Sequence, residues 1–298
     1  MAESAELRRP PGLGVWVLAA RPRTLSAAVT PVVVGTAVAA SQGSFRPLPA
    51  LAALFSAISI QIGTNLANDY HDFERGADTA ERVGPRRVTQ SGLVAPRTVR
   101  NAAIGTFAIA FVLGVYLTLA GGWPILFVGL ASIAAGWLYT GGPWPLGYHG
   151  LGDVFVFVFF GLVAVTGTVY VQAHSVPPAA WISAVPVGAI ATAILVVNNL
   201  RDIVTDAKAG KRTLATRIGV RATRAQYVAL LVISFAAPFF LARVATPWAL
   251  LPLASLPLAI APLAAVLRQT GAALNPALGG TARLQIVYGL LLAIGLWR

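Results

Sequence analysis

The 298-residue chain contains no cysteine. That excludes a disulfide framework, a thiolate metal site and a cysteine nucleophile. Charge is also scarce. Asp, Glu, Lys and Arg make up 11% of the residues, against about 25% in soluble domains. Hydrophobic residues make up 57%. Water-soluble packing cannot hide that much apolar surface, so a bilayer is the solvent for most of the chain. The deficit runs the whole length, which leaves no polar half for a soluble appendage. One membrane domain over 1–298 is expected. Acid is scarcest of all, with 10 Asp and Glu against 22 Lys and Arg and a formal net charge of +12. The opening MAESAELRRPPGLG mixes both signs and matches neither a cleavable signal nor an Arg/Ser-rich transit peptide, so the first apolar stretch is expected to be retained.

What is present is a series of apolar runs. A bilayer core takes about 20 mostly apolar residues per helix. Runs of that kind lie at roughly 24–40, 48–68, 101–120, 122–140, 151–171, 179–199, 225–242, 246–267 and 280–297, which predicts nine spans. Pro31, Pro186, Pro252 and Pro257 fall inside them, as membrane helices tolerate. With nine spans, 19 of the Lys and Arg residues fall on one face and three (Arg46, Arg243 and Arg298) on the other. The positive-inside rule places the larger set, with the N-terminus, in the cytoplasm. The basic excess is then topology and attraction to anionic lipid, not nucleic-acid binding.

The acids are clustered. Apart from Glu3 and Glu6 in the tail and Asp153, all lie in NLANDYHDFERGADT with its following Glu81, from 65 on, or in NNLRDIVTDAKAGKRT, 198–213. Each stretch closes an apolar run on the basic face. Residues three or four apart share a helix face, so Asn65, Asn68, Asp69 and Asp72 should converge, and so should Asn198, Asn199, Asp202 and Asp206. Shifted by 134 residues, Asn65 falls on Asn199, Asn68 on Asp202, Asp72 on Asp206, Gly76 on Gly210 and Thr79 on Thr213. The repeat predicts two related halves, about 20–140 and 150–267, around a central cavity open to the cytoplasmic face. The fold class expected is an all-α polytopic membrane protein.

All-oxygen clusters without sulfur suit Mg²⁺ or Mn²⁺ and not zinc. Carboxylates hold divalent cations, the cations hold a diphosphate, and Arg or Lys neutralises what remains. A diphosphate clamped in this way is a good leaving group. If an allylic chain is attached, its carbocation needs a dry site, and the membrane boundary offers a polar floor under an apolar tunnel. A single Asp at a helix end is explained equally well as a cap or a solvated charge. Two parallel copies that hold most of the acids are not.

These stretches resemble the UbiA-type intramembrane prenyltransferases over essentially the whole chain. A finer resemblance, to the branch acting on 1,4-dihydroxy-2-naphthoate in menaquinone biosynthesis, rests on RPRTL (21–25), NDYHDFERGADT (68–79), YTGGPWPLGYHGLGD (139–153) and NNLRDIVTDAKAGKRTLATRIG (198–219). The first motif has Gly76 where the superfamily often has a further acid, with Asp78 two residues on. That variation is typical of the naphthoate branch, and it leaves Asp78 as a substrate-side residue with an open metal role. The resemblance implies a Mg²⁺-dependent transfer from a polyprenyl diphosphate to 1,4-dihydroxy-2-naphthoate, with loss of CO2 and diphosphate to give demethylmenaquinone in its quinol form.

On this reading Asp69, Asp72, Asp202 and Asp206 are the expected metal residues, with Asn68 as ligand or diphosphate partner. Asn65 and Asn199 orient them. Arg201 and Lys211 face the diphosphate, and so does Arg212, which membrane anchoring explains nearly as well. Arg21 and Arg23 either anchor the first span or meet the acceptor's carboxylate. Tyr139 is either an interfacial tyrosine or, as the family implies, a ring near the allylic carbon, where its face would steady a cation. Asp153 is either a helix cap or an acceptor-side group. His71 and His149 read as solvated loop residues, and His174 lies on the opposite face. Rival readings are another aromatic acceptor such as 4-hydroxybenzoate or homogentisate, a lipid or small-molecule transporter, and a scaffold. The transporter fits poorly, because the polar groups gather at one face. The scaffold leaves the paired motifs unexplained.

Overall fold

The computed structural model describes residues 12–77, 83–84 and 86–298. Asp78 and the tail acids lie outside the described residues, as do Glu81 and Thr79. The described chain is helical throughout. In order come α1 (Gly12–Ala20), a 3-10 turn (Pro22–Thr24), α2 (Ser26–Ser41), α3 (Pro47–Glu74), α4 (Pro96–Gly121) and α5 (Trp123–Leu138). They are followed by α6 (Gly152–Val156), a π-helical segment (Phe157–Val163), α7 (Ala164–Ala173), α8 (Pro178–Lys208) and α9 (Leu214–Val244). A 3-10 helix (Pro247–Ser255), α10 (Leu256–Arg268) and α11 (Asn275–Trp297) complete the chain.

Every apolar run read from the sequence falls on helix, but the runs differ in kind. Among the described residues, seven helical segments are long and apolar enough to cross a membrane singly. An eighth is the pair Gly12–Thr24 and Ser26–Ser41, bent by 56° at the break between them; just before it, Arg21 adopts a left-handed backbone, φ 51°. The ninth expected span is α5, and its 16 residues rise only about 24 Å at 1.5 Å each, less than the roughly 30 Å hydrocarbon core. The run expected at 246–267 begins as 3-10 helix, because Pro247, Pro252 and Pro257 remove amide donors from that stretch. The run expected at 225–242 belongs to a longer helix, α9, broken at Gly219 (φ 76°).

Helix starts follow proline. Pro47, Pro96 and Pro178 each open a helix after an extended residue, where a missing N–H costs nothing. The two motif helices stop alike. After α3 the chain turns through Gly76 (φ 66°), and Ala77 N–H donates to Asp72 O at 2.9 Å. After α8 it turns through Gly210 (φ 73°), and Lys211 N–H donates to Asp206 O at 2.9 Å. Both are Schellman closures, which need glycine in the left-handed region. They match at the same 134-residue offset, so each makes an Asp the third residue from the end of its helix.

α8 is the central helix, the most deeply buried of the apolar spans. Its contact with the π segment is made backbone to backbone. A Cβ added to Gly161 would lie 2.6 Å from Gly188 Cα, so only glycine lets the helices approach this closely, as small residues do in membrane packing. Around the outside, Leu119, Phe127, Val112 and Ile260 are 65–83% exposed, a surface suited to lipid and not to water.

Candidate active site

A cavity of about 360 Å³ opens between α3, α5, α6–α7 and α8, and both motifs contribute to it. At one end are Asn68 and Asp72 from α3, Asn198, Asn199, Asp202 and Asp206 from α8, and Lys211 just beyond. The opposite walls are Val32, Leu117, Ile125, Val128, Phe159, Phe160 and Val171. Asp72 and Ala53 both line it from α3. They are 19 residues apart, so the cavity follows that helix for about 28 Å.

Asp72 is the hub of the polar end. It is 2% exposed. Its Oδ1 lies 3.0 Å from Lys211 Nζ and accepts from the Tyr148 hydroxyl at 2.8 Å, while its Oδ2 accepts from Arg87 Nη2 at 3.1 Å. Lys211 Nζ also stands 4.8 Å above the Tyr148 ring, within cation–π range. The 139–150 stretch ties the two motifs together. Thr140 Oγ1 donates to Asn68 Oδ1 at 2.8 Å, Arg75 donates to Gly142 O, and Arg212 N–H donates to Tyr148 O at 3.0 Å. A Cβ on Gly152 would lie 2.6 Å from the Tyr139 hydroxyl, so that glycine makes room for the ring on the cavity wall.

Several expected residues stand elsewhere. Asp69 is 1% exposed and off the cavity, and its two oxygens accept from Val88 N–H and Thr89 N–H at 3.1 Å each. It pins the segment that delivers Arg87. Arg201 is buried inside the bundle and also off the cavity. It forks onto Asp202 at 2.8 and 2.5 Å and donates to Asn198 at 2.8 Å and Asn275 at 3.1 Å. Asn65 lines the cavity, but its Nδ2 donates to Ala20 O and Thr24 Oγ1, both at 2.9 Å. It therefore fixes the turn before α2 and orients none of the acids. Arg21 lines the cavity, while Arg23 and Arg212 are exposed and do not. His149 stacks on Trp144 with 4.2 Å between centroids, and His174 stands 3.3 Å from Arg46.

The sequence reading missed Arg87 and Tyr148. Tyr148 lies within the YTGGPWPLGYHGLGD stretch, so that stretch carried the signal.

Among the described residues no three His, Asp or Glu side chains converge as a ready metal cluster. Carboxylates that face one another across a cavity repel unless a cation stands between them, and here basic side chains supply it: Lys211 and Arg87 at Asp72, Arg201 at Asp202. The donors gathered at this end of the cavity are carboxylate and amide oxygens, a set that fits a hard divalent cation.

The UbiA prenyltransferase family model matches residues 28–278. The chain belongs to the UbiA prenyltransferase family. It is 44% identical over 279 residues to the 1,4-dihydroxy-2-naphthoate octaprenyltransferase of Mycobacterium tuberculosis, covering 93% of this chain and 95% of that one. It is 39% identical over 291 residues to the protein of the same name in Escherichia coli, covering 95% and 94%. A UbiA homolog from Archaeoglobus fulgidus, solved with GPP and Mg²⁺ bound, shares the fold with a TM-score of 0.68 at 15% identity, over 93% of this chain and 99% of that one. The same homolog has been solved with Cd²⁺ (TM-score 0.62, 15% identity, 93% and 98%). The family and the apolar helices together make this chain a multi-pass membrane protein. In this UbiA-family chain the candidate site is the cavity lined by the ends of both α3 and α8.

Proposed function

We propose that this chain transfers a polyprenyl group from a polyprenyl diphosphate to 1,4-dihydroxy-2-naphthoate, releasing CO2 and diphosphate and giving demethylmenaquinone as its quinol. The observation that carries the reading is one cavity, running about 28 Å along α3, with an acidic and basic end built from both motifs and apolar walls beyond it. The names of the relatives at 39–44% identity favour this acceptor. The motif end faces the cytoplasm of a cell membrane on this reading, because the Lys and Arg excess lies there. The two motif-bearing halves, about 20–140 and 150–267, form a single transferase unit.

Asp72, Asp202, Asp206 and Asn68 would hold Mg²⁺, with Mn²⁺ able to substitute. The bound cation would offset diphosphate charge and make it a better leaving group. Lys211 and Arg87 turn from Asp72 to diphosphate oxygens. Asn199, on the same wall, directs the acids. Tyr139 presents its ring to the allylic carbon, and Phe159 and Phe160 keep water from it. Arg21 faces the acceptor's carboxylate.

The test is a product assay on the purified full chain in detergent or lipid, with the naphthoate and a short prenyl diphosphate, with Mg²⁺ or EDTA, beside Asp72→Asn and Asp206→Asn. Prenylnaphthoquinol with CO2 release that needs Mg²⁺ and is lost in both variants is expected. If the folded protein binds the diphosphate but makes no product, the naphthoate reading is wrong, and other aromatic acceptors such as 4-hydroxybenzoate or homogentisate come next. Full activity in both variants would overturn the two-motif site.

A further inference from the structure

One carboxylate on the cavity wall belongs to neither motif. Asp153 stands in the first turn of α6 and is 6% exposed. Its Oδ1 accepts from Gln226 Nε2 of α9 at 2.9 Å, and its own backbone amide is its other neighbour. Its Oδ2 is buried without a donor, and so is Gln226 Oε1. A buried acceptor left without a donor keeps its full desolvation cost, and more so when charged. An acid inside a membrane domain is retained for what it does. What the pair lacks is an O–H or N–H donor.

The position says which donor fits. Gly152, the residue before it, abuts the Tyr139 hydroxyl, and Tyr139 lies within the electrostatic reach of Asp153, Asp206 and Asp72 together. Asp72 and Asp206 are committed to the diphosphate end. Asp153 lines the same cavity beside the apolar Phe155 and Val156. A phenolic hydroxyl is a donor attached to an apolar ring, and it matches this mixed wall.

We propose that Asp153 binds a ring hydroxyl of the aromatic acceptor and takes its proton during prenyl transfer. The inference rests on the prenyl-transfer reading above. The carboxylate-bearing ring carbon attacks the allylic carbon, so a C–C bond forms. The allylic C–O bond breaks, and its electron pair leaves with the diphosphate. The hydroxyl next to the attacked carbon becomes a ketone, and its proton passes to Asp153. That ketone is β to the carboxylate, so CO2 departs, the bonding pair flows onto the ketone oxygen, and Asp153 returns the proton there. The ring is again a quinol, and no oxidant or reductant is consumed.

The experiment compares full-length wild type with Asp153→Asn, which keeps the shape and an acceptor for Gln226. The acceptors are 1,4-dihydroxy-2-naphthoate and its 1-methoxy analogue, which has no proton to give. The expected result is a fall in turnover of about 10²–10⁴-fold for Asp153→Asn, the range of general-base catalysis. Its thermal midpoint and its affinity for a non-reacting prenyl thiodiphosphate should stay at wild-type values. Wild type should lose a comparable factor on the methoxy acceptor, and the variant should lose little more on it. Unchanged naphthoate turnover by Asp153→Asn overturns the inference. So does wild-type use of the methoxy acceptor at the naphthoate rate, a result that holds even if the variant fails to fold. If wild type prenylates no naphthoate at all, the functional reading fails and this inference falls with it. If wild type is active and the variant equals it, only this inference fails.

Discussion

Tyr148→Phe removes one O–H and leaves the rest of the site standing. The hydroxyl donates to Asp72 Oδ1 at 2.8 Å, and that oxygen also faces Lys211 Nζ at 3.0 Å. The ring that stays behind still supports Lys211 at 4.8 Å and Arg75 at 5.5 Å. A hydrogen bond to a charged group contributes about 1.5–3 kcal/mol. Removing groups that orient metal-holding carboxylates costs about 10–100-fold in metal affinity, or roughly 1.4–2.8 kcal/mol at 1.4 kcal/mol per tenfold. The two estimates overlap. The half-saturating Mg²⁺ concentration should therefore rise about 10–100-fold, with little change in the plateau rate or in the acceptor KM. The assay is initial rate against free Mg²⁺ with both substrates saturating. A Mg²⁺ curve that superimposes on wild type would refute the reasoning, and would mean that Lys211 and Arg87 alone set the position of Asp72.

Three further outcomes are expected. Arg201→Ala leaves Asp202 buried without its guanidinium (side-chain exposures 1% and 10%) and should cost about 3–5 kcal/mol of stability, read as a lower thermal midpoint in detergent. Arg201→Lys should not restore it, since an ammonium cannot make the fork. Asp69→Ala should destabilise by roughly 1.5–3 kcal/mol for each lost charged bond to Val88 and Thr89, with Asp69→Asn recovering about half because it keeps one acceptor oxygen. Protease sensitivity of the 83–94 segment would report it. Gly188→Val should fail to yield folded protein, since its Cβ would lie 2.9 Å from both Gly161 Cα and Phe157 O; wild-type yield and melting would count against the close helix contact.

The architecture was legible because membrane solvation leaves a one-dimensional record. Apolar runs gave the helices. The repeat located both aspartate-bearing helix ends. The individual roles were harder. Asp69 and Asp72 share a helix face by spacing, yet Asp69 meets two amides of a loop some twenty residues on while Asp72 meets the cavity. Spacing along one helix cannot reveal what approaches from another element. Arg201 was expected to face a diphosphate, but its guanidinium folds onto the neighbouring Asp202 and crosses to Asn275 on α11. Arg87 and Tyr148 reach Asp72 from 15 and 76 residues away, contacts to which no periodicity points. The shortness of α5 was blurred because its apolar run continues into Tyr139 and Thr140 past the end of the helix.

The π-helical turn at Phe157–Val163 acts as a register shifter for the tunnel. A π turn accommodates an extra residue relative to the α-helical pitch, and each residue turns an α-helix by about 100°. Phe155, Val156, Phe159 and Phe160 line the cavity before or within this turn, and Ala164, Gly167 and Thr168 line it after. Deleting one residue here would restore an ordinary α-helix and swing one of these groups off the wall by about 100°, while every hydrophobic residue type stayed in place. The bore of the apolar tunnel is thus written in the backbone count of this segment as well as in its side chains.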